Sequence, residues 1–294
     1  MRYLYYPGCS SDGSSKEYKV STLAVLASLG AEVAELEGWT CCGASVASVN
    51  SELLGLVLPA RNLALAESAG GGADMLVGCS ACYTNFRRTD AAASSDEHLL
   101  ATINEALAEE GLVYHGQMRT RHLLDVLAND FSQQEIAARV RRSLHGLKVA
   151  PYYGCQTVRP YSPFDSSERP TSMVGILEAL GATVHHHLRE ASCCGTSLLF
   201  TKPDLGLQLV GAILEEAGEA DCIATVCPLC QMNLDSYQDR VAVTLERRIP
   251  VLFLPQLIGL AFGLPEGDLL LERHIVSAGP VLARLADVET HHQE

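Results

Sequence analysis

Ten of the eleven cysteines in this chain follow one five-member pattern written twice. The first copy is Cys9, the adjacent pair Cys41-Cys42 followed by Gly43, and Cys79-Ser80-Ala81-Cys82. The second is Cys155, the pair Cys193-Cys194 followed by Gly195, and Cys227-Pro228-Leu229-Cys230. Corresponding members are offset by 146 to 152 residues, always in the same order. Chance does not arrange ten thiols in this way, so the pattern reads as a duplicated cysteine-based metal site.

The Cys-x-x-Cys turn aims two thiolates at one metal, as structural zinc and iron–sulfur sites both require. The adjacent pair discriminates better. Neighbouring residues chelate a single tetrahedral ion poorly but can reach different irons of a cluster. Five thiolates also exceed the four that zinc takes, and soft sulfur ligands in excess favour a polynuclear iron–sulfur site. Gly43 and Gly195 would let the backbone approach a cluster and offer amide donors to its sulfurs. Cys222 lies outside the pattern and reads as a small buried hydrophobe.

The elements that must position these residues repeat as well. Apolar strands over 3–6 and 149–153 run into Gly8-Cys9 and Gly154-Cys155. Helices follow over 15–29 and 171–180 and stop at Gly30 and Gly181. Short strands then lead to each Cys-Cys-Gly, with further helices over 54–69 and 205–216. Strands over 75–77 and 223–226 deliver the Cys-x-x-Cys turns. Each half closes with a strand and a helix, 112–114 with 120–128 and 251–253 with 255–262. This alternation predicts an α/β fold of two duplicated domains, 1–146 and 147–294, meeting between Arg142 and Lys148. Each is a mainly parallel sheet flanked by helices, with the cysteine motifs at the carboxyl ends of the strands, where ligands sit in such sheets.

A length of 294 residues suits two modest domains, and 48% hydrophobic residues indicates a well-buried globule. No apolar run reaches the roughly 18 residues of a membrane span. The segment 251–264 comes nearest and is broken by Pro255 and Gln256. The net charge of −14 argues against nucleic acid, which needs a surplus of Lys and Arg. The chain shows no secretion signal, and its clustered thiols need a reducing compartment, so a cytoplasmic location is expected.

Taken together, the two motif copies resemble the cysteine-rich CCG domain, and the pair on one short chain resembles the B subunit of heterodisulfide reductase. In that family each complete motif binds a noncubane [4Fe–4S] cluster. The resemblance therefore implies one cluster on Cys9, Cys41, Cys42, Cys79 and Cys82, and another on Cys155, Cys193, Cys194, Cys227 and Cys230. It implies disulfide or thiol redox chemistry between the clusters. It also implies two partners from the same complex, the iron–sulfur C subunit and the flavin-containing A subunit. The segments Gly43-Ala44-Ser45-Val46-Ala47 and Leu58-Pro59-Ala60-Arg61-Asn62-Leu63 look more like bacterial sulfur-oxidising relatives than the methanogen type. A thiol, persulfide or lipoyl dithiol on a carrier protein is then the expected substrate. No Gly-x-Gly-x-x-Gly follows a strand, so neither flavin nor nicotinamide is expected on this chain.

No side chain is singled out as the catalyst, since the cluster irons are expected to act directly. His115 is a candidate proton donor to the first site, against a simple surface turn. Arg159 and Arg87-Arg88 could offset cluster charge, against plain solvation at helix ends. Trp39 could shield a cluster, and Tyr83 and Tyr153 read as packing. The run His185-His186-His187 alternates sides, so at most two of its rings could converge. It reads as solvated or as support for the ligands. Two other functions stay open. One is an electron relay in a lactate-, glycolate- or quinone-linked oxidoreductase, and the other is a non-redox scaffold with zinc at the Cys-x-x-Cys turns.

Overall fold

Two four-stranded parallel sheets with the same strand order form the framework of the chain. The computed structural model describes residues 1–291 except 45, 70, 162 and 244. The first sheet comprises β1 (Arg2–Tyr6), β2 (Glu32–Glu35), β3 (Asp74–Val77) and β4 (Thr120–His122), arranged β2-β1-β3-β4. The second comprises β5 (Lys148–Tyr152), β6 (Thr183–Val184), β7 (Cys222–Thr225) and β8 (Val251–Phe253), arranged β6-β5-β7-β8. Strands buried on both faces read as near-continuous apolar runs, and β1, β3, β5 and β7 do so.

Side-chain alternation explains how two sheets make one molecule. On β1, Leu4 and Tyr6 face an outer cluster with Leu63, Met75 and Phe86. Tyr3 and Tyr5 face the opposite way, into a cluster that also takes Val149, Leu177, Phe253 and Leu257 from the second half. Ala150 and Tyr152 of β5 face a third cluster, with Val210 and Ile213. Each sheet thus has its own outer core, and the inner faces share one. The helices Lys16–Ser28 and Leu254–Phe262 pack together in that shared layer, as do Leu123–Asn129 and Ser172–Ala179. The predicted helix stops hold: Gly30 and Gly181 adopt φ of 81° and 90°, the left-handed turn that closes a helix.

Three expectations change. The apolar run 112–114 is not a strand. Val113 is 53% exposed, and the Tyr114 backbone bonds the Asn104 side chain through both its N–H and its C=O. The fourth strand is Thr120–His122, where a helix was expected, paired in register with 75–77. Its buried Arg121 is neutralised by Asp125 at 2.7 Å and Asp130 at 2.5 Å. Finally, each Cys-x-x-Cys opens a helix rather than forming a free turn. Cys79 caps Ser80–Ser95 and Cys227 caps Pro228–Ser236.

Candidate metal centre

The strand order puts the cysteines in place. After β1 the chain winds to β2 on one side, then crosses to β3 on the other, so a crevice opens at the carboxyl ends of β1 and β3. Cys9 follows β1, and Cys79 and Cys82 follow β3. The second half repeats this with Cys155 after β5, and Cys227 and Cys230 after β7. The Cys-Cys-Gly loops, which come after β2 and β6, complete each set.

Within the first set the thiols form a chain of contacts. Cys9 meets Cys41, Cys41 meets Cys42, Cys42 lies 3.0 Å from Cys82, and Cys82 meets Cys79. In the second, Cys155 meets Cys193, Cys194 meets Cys230, and Cys230 meets Cys227. The two sets touch where Cys79 meets Cys227. Both of these are buried, whereas Cys9, Cys41 and Cys193 are exposed. Each set therefore opens outward at one end and meets its twin at the other.

Contact among thiols splits their proton affinities. Hydrogen bonding from Cys42 and Cys9 holds the Cys41 thiol far below its ordinary value, and the same bond to Cys41 pushes Cys42 up to about 12. Cys193 is drawn down to about 6, first by Cys155, then by the Gly195 amide and the nearby Arg159 charge.

Polar residues from both halves line the seam. Ser80 lies 3.2 Å from His122 Nε2 and 2.6 Å from Thr157, and its hydroxyl reaches Cys227. His122 accepts from the Leu124 N–H through Nδ1 at 3.1 Å, which leaves the proton on Nε2. On the other side Tyr18, fully buried, stacks on Phe253 at 4.3 Å. Its single hydroxyl serves the carbonyls of Gly78 at 3.1 Å and Val226 at 2.9 Å, the residues just before Cys79 and Cys227.

The donor sets fit a sulfur-rich polynuclear group. Five thiols line each through pairwise contacts, and the amides of Gly43 and Gly195 point at the sulfurs of Cys41 and Cys193, at 3.4 Å in both cases. Gly8 and Gly154 bring backbone against sulfur. A Cβ on Gly154 would stand 2.9 Å from Cys230 Sγ, and one on Gly8 3.5 Å from Cys82 Sγ. Among the described residues, no group of three or more His, Cys, Asp or Glu is arranged to hold a metal ion.

The other candidates divide. His115 precedes β4 and so lies toward the amino edge of the sheet, away from the cysteines; its N–H bonds Glu67. Arg159 does lie by the second set, with Nη2 donating to Ala191 O at 2.5 Å. Arg88 turns to the Gly55 carbonyl and Arg87 to Asp90. Of the three histidines, His185 bonds Glu216 O and His187 bonds Pro151 O with their rings stacked 6.5 Å apart, while His186 turns to Glu190. Trp39 sits edge-on to Tyr6, and Tyr83 edge-on to His122. Cys222 is fully buried in the shared core. Sequence reasoning missed Ser80, His122, Thr157 and Tyr18 altogether.

Comparison with known proteins agrees with this geometry. The family model of the cysteine-rich domain, CCG, matches residues 3–87 and 149–235. A Wolinella succinogenes protein named 8-methylmenaquinol:fumarate reductase membrane anchor subunit is 38% identical over 94% of this chain and 97% of its own. An Archaeoglobus profundus protein, named as like the B subunit of heterodisulfide reductase, is 29% identical over 90% of this chain and 91% of its own. The B subunit of the ferredoxin:CoB-CoM heterodisulfide reductase of Methanosarcina mazei is 28% identical over 96% of both chains. A hypothetical protein from Helicobacter pylori shares the fold, with a TM-score of 0.75 at 16% identity over 94% of this chain and 52% of that one. With a cysteine-rich domain matched in each half and near-full-length relatives of this type, the chain belongs to the family of heterodisulfide reductase B subunits.

Proposed function

We propose that each five-cysteine set holds one noncubane [4Fe–4S] cluster, and that the chain interconverts disulfide and thiol within a heterodisulfide reductase-like complex. The observation that carries this reading is the buried contact between Cys79 and Cys227, one from each set. A disulfide takes up two electrons, whereas iron–sulfur centres commonly pass one, so two adjoining centres match the demand. Bound there, the clusters would supply electron transfer and iron sites with an affinity for thiolate sulfur. The protein's own residues hold the thiolates, keep water from the seam through Tyr18 and Phe253, and leave the outer ends at Cys9, Cys41 and Cys193 open.

The substrate class we favour is a thiol, persulfide or lipoyl dithiol on a carrier protein, as in sulfur oxidation, within a cytoplasmic complex. Electrons would pass through the iron–sulfur C subunit and the flavin-containing A subunit of that complex. A second reading is favoured by the 38%-identical fumarate reductase relative. There the two sets only relay electrons in a quinol-linked oxidoreductase, and the substrate chemistry belongs to a partner. Among the described residues no helix is long and apolar enough to cross a membrane.

Mössbauer spectra with iron, sulfide and zinc analysis of the anaerobically purified chain test both readings. About eight irons are expected for two four-iron clusters. A spectral change on adding disulfides or lipoyl dithiols, abolished in Cys194→Ser, supports thiol chemistry here. Unperturbed spectra with continued electron uptake leave the relay. Zinc in place of iron would sink both.

A further inference from the structure

The duplication copies the backbone around the two sets faithfully. Gly43 and Gly195 donate to sulfur alike, as do the amides of Ala44 and Thr196 to Cys42 and Cys194. Asn85 and Asn233, each three residues past the last cysteine of its set, both donate to the carbonyl of the second cysteine of the pair. Against that fidelity, the side chains beside the sulfurs differ at two positions, and both differences favour the second set.

The first is Thr196, whose hydroxyl lies 3.1 Å from Cys194 Sγ and 3.1 Å from the Leu229 carbonyl, which share its one proton. The matching residue after the first pair is Ala44, which has nothing to donate. Ser80 adds no such donor: the Thr157 hydroxyl gives its proton to the Tyr153 carbonyl, so the Ser80 proton goes to Thr157. The second is Arg159, four residues after Cys155, whose charge acts on Cys193 while its guanidinium is held by the Ala191 and Ser167 carbonyls. Four residues after Cys9 stands Gly13.

Hydrogen-bond donors and cations beside ligand sulfurs favour the more negative, reduced form of an iron–sulfur site and raise its potential. We infer that the two sites are electronically unequal, and that Thr196 and Arg159 make the second the electron sink, so that an electron entering the chain settles there. Both are positioning residues: they act through the cysteines. The inference rests on the reading that both sets hold iron–sulfur clusters.

The test is a redox titration of the anaerobically purified full chain, followed by electron paramagnetic resonance, with iron counted on the same sample. Two reduction steps are expected, and the step at higher potential is the one lost in Cys194→Ser. Thr196→Val should shift that step about tenfold in the ratio of reduced to oxidised centre at fixed poise, about 59 mV for one electron. Thr196→Ser should restore it, and Ala44→Thr should raise the lower step. Full iron with coincident steps overturns this inference alone, as does a higher step lost in Cys41→Ser or unmoved by Thr196→Val. Four irons or fewer, or zinc, overturns the two-cluster reading and this inference with it.

Discussion

Beside Cys227 the seam is polar, with Ser80, His122 and Thr157 bonded to one another across the two halves. Beside Cys79 the matching places hold Pro228 and Phe253, and Ser11, which matches Thr157, bonds the Pro7 carbonyl and reaches the Tyr5 hydroxyl. The two sides have the same backbone path and opposite chemistry. Backbone features, such as the glycines at positive φ and the amides aimed at sulfur, are fixed by the path of the chain and were duplicated with it. Side chains at the seam were free to differ, and there the two sites separate in character.

That comparison can be broken or sharpened at several points. Cys79→Ser and Cys227→Ser should each remove about half of the iron, judged against two four-iron clusters. Iron analysis that shows both sites emptied by either change would mean the sets form one centre. Acid should destabilise the fold next most strongly. His122 and His187 are pushed down to about 4, mainly by burial, and His274 is lowered by burial as well. An unfolded histidine titrates near 6.5, so below that pH the unfolded chain gains protons that the folded chain refuses. Stability should therefore fall between about pH 6.5 and 4, by up to about 1.4 kcal/mol per unit for each histidine. Urea midpoints across that window should show the fall, and His187→Gln should flatten it by about one proton.

Gly154→Ala should cost more than Gly8→Ala. Both glycines have φ above 70°, a region costing an L-residue about 1–3 kcal/mol. Only at Gly154 would the new Cβ also crowd a thiol, at 2.9 Å from Cys230, so iron should fall at the second site alone. Equal losses would remove this difference between the halves. Tyr18→Phe should have the smallest effect, about 1 kcal/mol for a shared hydrogen bond. It should touch both sites equally, because the hydroxyl serves both approaches.

Much of the fold was legible because its signals are local. A short apolar run ending in Gly-Cys marked β1 and β5, and Gly30 and Gly181 marked where helices stop. The misreading at 112–114 has a physical origin: the Asn104 side chain satisfies the Tyr114 backbone, so an apolar triplet needs no ladder. The true strand hid because Arg121 and His122, polar and buried, invert the expected pattern. At the site, the spacing of the cysteines was readable within each copy. The seam was not, since Tyr18 meets Val226 across 208 residues and Thr157 meets Ser80 across 77. One cue was available: the two Cys-x-x-Cys copies differ inside the motif, Ser80-Ala81 against Pro228-Leu229.

The inner core, which draws Tyr3 and Leu124 from one half and Phe253 and Leu257 from the other, resembles an interface between protomers more than a linker between modules. In a dimer of identical chains, a twofold axis obliges every residue at the interface to appear on both sides. A serine that helps at one end must then be tolerated at the other. Joining the copies into one polypeptide lifts that obligation while keeping the interface permanent. The pairing of Ser80 with Pro228, and of His122 with Phe253, is what such freedom allows: an ancestral symmetry retained in outline and abandoned where asymmetry was useful.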